Sequence, residues 1–84
     1  MLPNDTLSAF YPLTLNDLLF LSALSAELLK RKHYNYFKFA GDKAVLFMTI
    51  DNNQYYSARE IVFDLDILSN YYTKVDKFIN EVIK

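Results

Sequence analysis

The segment from Tyr34 to Ile50 reads YNYFKFAGDKAVLFMTI, and it decides the fold because two runs of strand-forming residues flank a turn sequence. From Tyr34 to Phe39 the side chains alternate with the period of two that is typical of a strand. Gly41 lies in the middle of the turn sequence, where it supplies a permissive backbone. Ala44–Ile50 is continuously apolar, which predicts a strand in the centre of a sheet. The segment therefore predicts an antiparallel hairpin.

A helix is predicted before this hairpin, from about Leu15 to Lys32. Thr14 suits the N-cap position. Asp17 places an acid in the first turn, where its negative charge interacts favourably with the helix dipole. The apolar residues of this segment cover an arc of about 220°, which is wider than the stripe of an ordinary surface helix. We therefore expect the helix to pack on two sides, one against its own sheet and the other against a second helix or another subunit.

The chain after the hairpin allows two interpretations. Asp51–Gln54 is a second turn cluster, and Tyr55-Tyr56 begins either a third strand or the approach to the last helix. Ser57 and Glu60 fit a capping box, which would start that helix at Ala58.

Alternatively, Asp64 or Asp66 is the N-cap, and Tyr55–Phe63 is a long strand. In both interpretations the apolar residues after Ile61 recur at helical spacing, which predicts a helix from about Leu65 to Ile83.

Together these elements predict an α+β fold in the order α-β-β-(β)-α. A small antiparallel β-meander of two to three strands would be flanked by an N-terminal and a C-terminal helix. Residues 1–13 contain both prolines and predict an ordered tail or short turn, whereas residues 14–84 are predicted to form a single domain.

Composition excludes several classes of function. The 84 residues are 52% hydrophobic and 17% aromatic with a net charge of −1, which is unlike a disordered chain. The absence of cysteine excludes disulfide scaffolds, Cys-ligated zinc and thiol catalysis. With a single glycine, a Gly-rich phosphate loop is not possible.

The sequence favours a cytoplasmic protein that does not enter a membrane. Leu18–Ala26 reads LLFLSALSA, which has the apolar character of a signal peptide, but no Lys or Arg precedes it and Asp17 is directly adjacent. The segment is also far shorter than the about 20 residues of a membrane span. We therefore interpret it as part of a core helix.

Catalysis and metal binding are not expected, and neither is a cofactor. His33 is the single histidine and follows three basic residues, so it fits a helix C-terminus better than a base or metal ligand. The loop from Asp51 fails as a calcium site because its sixth residue is Tyr56 and its twelfth is Val62. Glu60, Asp64 and Asp66 are acids of the kind that cap helices or face solvent.

A basic and aromatic stretch between Leu28 and Lys43 raises the alternative of a small nucleic-acid-binding domain. It carries five cations against the single acid Asp42. Cations pair with phosphates, and aromatic faces stack on unpaired bases. The residues predicted for this alternative are Lys30, Arg31, Lys32, Tyr34, Tyr36, Lys38 and Lys43.

The aromatic content favours protein binding over that alternative. Seven Tyr and seven Phe are more than a core of this size needs, and Tyr is enriched at interfaces. We therefore expect a non-catalytic protein-binding module, a homodimeric small inhibitor or adaptor that sterically occludes a partner protein, of the type found among phage and mobile-element accessory proteins. The partner-binding residues predicted are Tyr55, Tyr56, Tyr71, Tyr72, Phe20, Asp64 and Asp66.

Overall fold

A computed structural model of the chain describes residues 13–50 and 58–83. Helix α1 is followed by three strands and then by three short helical segments, which confirms the predicted α+β fold. The elements are α1 (Leu15–Lys30), β1 (Asn35–Ala40), β2 (Lys43–Thr49), β3 (Ala58–Asp64), a 3₁₀ helix (Leu65–Asn70), α2 (Val75–Phe78) and a π-helical segment (Ile79–Ile83).

Helix α1 starts where the sequence predicted, at a reciprocal capping box. The Thr14 hydroxyl accepts a hydrogen bond from the backbone N–H of Asp17, and the Asp17 carboxylate accepts one from the backbone N–H of Thr14, each at 3.0 Å. Two backbone donors that the helix cannot satisfy internally are thus satisfied locally. The Asp17 side chain is buried by this arrangement.

Helix α1 ends two residues earlier than predicted, in a Schellman motif. The backbone N–H of Lys32 donates to the Leu29 carbonyl at 3.0 Å, and that of His33 donates to the Leu28 carbonyl at 2.8 Å. This geometry requires a left-handed backbone at Lys32, whose φ is 71°. Glycine usually occupies that position because any Cβ is strained there.

Replacing Lys32 by glycine is therefore expected to raise the free energy of unfolding by about 1 kcal/mol, since a left-handed residue with a Cβ costs about 1–2 kcal/mol. The thermal midpoint should rise by about 4–8 °C, which differential scanning calorimetry measures directly. Ala23→Gly is the matched control, because glycine in the interior of α1 should lower stability by about 1 kcal/mol. A fall in the midpoint for Lys32→Gly would show that the helix does not end this way.

The three strands form an antiparallel meander in the order β1-β2-β3, with the apolar strand β2 in the centre as predicted. A two-residue turn, Gly41-Asp42, joins β1 to β2 at the Ala40–Lys43 pair. Gly41 has a φ of 61°, so the permissive backbone expected at this position is used. The second turn cluster, Asp51–Gln54, and Tyr55-Tyr56 lie outside the described residues.

The chain after β2 corrects the prediction of one long helix. Ala58–Asp64 is a strand, so the capping box at Ser57 and Glu60 does not start a helix. Helical structure begins at Leu65, but it is interrupted by a turn at residues 71–74. Ser69 and Asn70 precede this interruption, and both residue types compete with helix by hydrogen-bonding locally, as the Ser69 hydroxyl does to the Asp66 carbonyl.

The core lies on one side of the sheet, between its inner face and the helical segments. Phe78 is the centre of an aromatic cluster and is fully buried. Its ring packs edge-to-face on Phe20, Phe63 and Tyr71, with centroids 5.2–5.4 Å apart. The remaining buried apolar residues are Leu21, Leu24, Leu28, Ala44, Leu46, Met48, Ile61, Leu65, Leu68, Ile79 and Ile83.

Candidate protein-binding surfaces

The side of the sheet that faces away from the core carries apolar and aromatic side chains, and we call it the outer sheet face. Strand register aligns its residues in two rows across the three strands, one at Tyr36, Phe47 and Glu60 and the other at Lys38, Val45 and Val62. Tyr36 is 56% exposed and Val62 is 60% exposed. Among the described residues, none of the apolar side chains in these rows belongs to the core cluster or packs against it.

A stacked aromatic pair organises one half of the outer sheet face. The rings of Tyr36 and Phe47 lie 4.9 Å apart and nearly parallel, at 12°. The Lys38 ammonium lies 5.5 Å from the centroid of the Phe47 ring, which is cation–π geometry. Phe47 is thus engaged by both neighbours, and the exposed surface of the pair is contributed mainly by Tyr36.

Oppositely charged side chains form ion pairs at the end of the sheet next to the first hairpin. The Lys43 ammonium donates to the Asp64 carboxylate across β2 and β3, and it also lies 3.9 Å from the Asp42 carboxylate. The hydrogen bond to Asp64 raises the pKa of Lys43. Lys43 of the basic stretch is therefore already paired with acids of the same chain, one of them on the neighbouring strand.

A second apolar surface lies on α1, on the side opposite the core. Leu15 is 71% exposed, Leu18 45%, Leu19 59% and Leu29 52%. At 100° per residue these leucines lie within about 100° of arc. We call this surface the leucine face; with the two small exposed residues of the same arc, it consists of Leu15, Leu18, Leu19, Ser22, Ala26 and Leu29.

One predicted partner-binding residue must be corrected. Phe20 is only 1% exposed, and its ring packs on Phe78, so it cannot contact a partner. The sequence could not show that Phe20 faces the core, because α1 has leucines on two opposite faces and the apolar pattern does not show which face the sheet covers. Tyr55 and Tyr56 are outside the described residues.

Tyr71 and Tyr72 are half-buried and pack against the core. The Tyr71 hydroxyl donates to the Glu81 carboxylate at 3.2 Å. Desolvation and this neighbouring negative charge raise the pKa of Tyr71. The acids Asp64 and Asp66 are accessible, the first in its ion pair with Lys43 and the second on the 3₁₀ helix.

The residues predicted for nucleic-acid binding are not gathered on one surface. Arg31 pairs with Glu27 at 2.8 Å, which lowers the pKa of Glu27, and with Asp76 of α2 at 3.0 Å. Lys30 and Lys32 are exposed near the end of α1. The sheet carries Tyr36, Lys38 and Lys43, of which Lys43 is bound to Asp64. Tyr34 precedes β1 and is 55% exposed.

The single histidine, His33, makes a hydrogen bond with a structural role. The Nδ1 of His33 lies 2.6 Å from the carbonyl oxygen of Thr49, and because a carbonyl only accepts, this nitrogen carries the proton. The contact ties the end of α1 to the end of β2. Beside it is a cavity of about 210 Å³, lined by Leu29, Lys32, His33 and Tyr34.

In residues 13–50 and 58–83, no group of three or more His, Cys, Asp or Glu side chains is arranged to hold a metal ion. No helix in the same ranges is both long enough and apolar enough to cross a bilayer.

The fold and these surfaces define a small α+β chain with apolar side chains on the outside of both its helical layer and its sheet. No protein-family model matches the sequence, and neither a curated protein nor a solved structure is significantly similar to it.

Sequence reasoning missed Val45, Phe47 and Val62 as surface residues. The signal was present, because a continuous apolar run such as Ala44–Ile50 predicts a strand whose two faces are both apolar. The pattern does not show which of the two faces the helices cover. In the structure they cover Ala44, Leu46 and Met48, which leaves the other set outward.

Proposed function

We propose that the chain is a non-catalytic, homodimeric protein-binding module that acts as a small inhibitor or adaptor by covering part of a partner protein. The observation that carries this proposal is the outer sheet face, where a central strand keeps apolar side chains on the side away from the core. Contiguous exposed apolar surface of this kind marks protein–protein interaction sites.

The arrangement of charge on the outer sheet face favours a protein over a nucleic acid. Val45, Phe47 and Val62 form its apolar part, and Lys38 and Glu60 lie on its two edge strands with opposite charges. Apolar side chains bordered by polar ones are the usual anatomy of a protein interface. Phosphates would instead meet the Glu60 carboxylate, and of the two lysines on this side of the sheet, Lys38 and Lys43, the second is already paired with an acid.

The protein-binding proposal is tested by tagging this chain and measuring which protein it retains from an extract of the native host. Val62→Lys places a charge among the apolar side chains of the outer sheet face, whereas Thr73→Lys places the same charge on an exposed turn elsewhere and is the matched control. We expect wild type and Thr73→Lys to retain the same protein and Val62→Lys to retain at least about tenfold less of it, because an unpaired charge is costly to bury. Circular dichroism verifies that all three are folded.

Equal retention by all three proteins would exclude the outer sheet face as the binding surface. A filter-binding assay with single-stranded DNA and RNA at low salt tests the alternative. The proposal predicts no retention. Retention that weakens steeply with added salt would favour nucleic-acid binding instead.

A further inference from the structure

We propose that the leucine face is the surface through which two copies of this chain pair, with their α1 helices antiparallel and a two-fold axis at Ser22. This inference rests on the proposed function only for the expectation that the chain is a homodimer. It adds which surface is used, in which orientation and in which register.

Spacing along α1 makes the leucine face complementary to itself. Leu15 and Leu29 are each seven residues from Ser22, about 10.5 Å along the helix axis. A two-fold axis at Ser22 therefore brings Leu15 of one copy against Leu29 of the other, twice. Leu18 and Ala26 are each four residues from the same centre and meet in the same way.

Small side chains lie where the two helices would approach most closely. Ser22 is at the proposed crossing point and Ala26 is one turn away, and both are exposed. Helices pack 8–10 Å apart depending on the side chains at the contact, so small residues at the crossing permit the closest approach. The leucines at both ends can then interdigitate.

Charge selects the antiparallel orientation. The leucine face contains no charged residue, but Lys30, Arg31 and Lys32 follow one another at the end of α1. Parallel pairing would place Lys30 and Lys32 beside their copies, whereas antiparallel pairing separates them by the length of the helix, about 24 Å. Arg31 is already paired with Glu27 and with Asp76 of α2. Antiparallel pairing also sets the positive end of each helix dipole beside the negative end of the other.

The area available predicts a dimer that dissociates on dilution. Full burial of one leucine corresponds to roughly 100 Å² at about 25 cal/mol per Å². The four exposed leucines then contribute on the order of 500 Å² over both copies, and the remaining helix surface adds to it. Stable interfaces usually bury about 1,200–2,000 Å², so we expect a weak dimer.

Sedimentation velocity of the full chain from about 1 to 500 μM tests the surface, over the range in which a weak interface dissociates. Wild type should shift from 9.9 kDa toward twice that mass. Leu19→Glu should weaken the dimer by at least about 100-fold, because two carboxylates would be buried without partners. Asn16→Glu adds the same charge to an exposed position outside the leucine face, and it should dimerise like wild type.

Single cysteines test the orientation, since the chain has no natural cysteine. Ser22→Cys should form a disulfide-linked dimer on oxidation. Leu15→Cys alone and Leu29→Cys alone should not, because the two-fold axis separates each from its copy by about 21 Å, and a disulfide requires Cα atoms within about 7 Å. Mixing Leu15→Cys with Leu29→Cys should restore cross-linking.

Three results would overturn the inference. A wild-type monomer at 500 μM would mean that another segment, such as residues 1–12 of the same chain, covers the leucine face. Cross-linking of all three single-cysteine variants would indicate parallel pairing, and cross-linking of none would exclude the two-fold axis. Because these outcomes do not involve Val62, failure here leaves the partner-retention test of the proposed function intact.

Discussion

Replacing Phe78 by alanine is expected to lower the free energy of unfolding by about 3–5 kcal/mol, the usual cost of removing a large buried ring. Phe78 is fully buried and contacts three other aromatic rings, from α1, β3 and the turn after the 3₁₀ helix. Native domains are stable by only about 5–15 kcal/mol, so the variant should be partly unfolded at 37 °C. Urea denaturation followed by circular dichroism measures the change.

Phe78→Leu is the matched control for this variant, because it retains most of the apolar volume and should lose clearly less stability than Phe78→Ala. A loss below about 1 kcal/mol for Phe78→Ala, the size typical of an ordinary substitution, would contradict the position assigned to α2. The C-terminal segments would then not be part of the core.

The second prediction of a large effect compares substitutions on the two faces of the sheet. Leu46→Ala should lower the free energy of unfolding by about 2–5 kcal/mol, since Leu46 is fully buried on the inner face. Val62→Ala should cost about 1 kcal/mol or less, because Val62 is 60% exposed and loses mainly strand propensity. The same urea titrations, made at low protein concentration, measure both.

This comparison tests whether the outer sheet face belongs to the folding core. If Val62→Ala were as destabilising as Leu46→Ala, another part of the same chain would cover that face. The outer sheet face would then be unavailable to a partner. The predicted difference between the two variants therefore supports the binding surface as well as the fold.

The elements that the sequence predicted well are those whose signals are local. Thr14 and Asp17 form a capping box within four residues, and Gly41 allows a two-residue turn. Continuous apolar character placed β2 in the centre of the sheet. Each of these signals depends on neighbouring residues, and each is found in the structure.

The last third of the chain was predicted less well because its spacing is compatible with two structures. The recurrence from Ile61 onward suits a helix, yet Ile61 lies on a strand and Leu65 begins a 3₁₀ helix. The segment is a strand because it pairs with β2, where Val62 lies opposite Val45. Such a contact between distant segments leaves no trace in local periodicity.

The surfaces show the same limit of sequence reasoning. The wide apolar arc of α1 correctly indicated more apolar surface than one face needs, but it could not assign Phe20 to the core and Leu19 to the outside. Which arc faces inward depends on where the sheet and α2 pack. For the same reason Tyr36 could be placed on a strand, but not on its uncovered face.

Photo-crosslinking from position 36 tests the central claim most directly, namely that the outer sheet face binds another protein. Benzoylphenylalanine in place of Tyr36 would be irradiated in an extract of the native host, with the same residue in place of the exposed Asn80 as control. We expect one discrete protein adduct from position 36 that is absent from position 80. No adduct, or an adduct with nucleic acid or with a second copy of this chain, would contradict it.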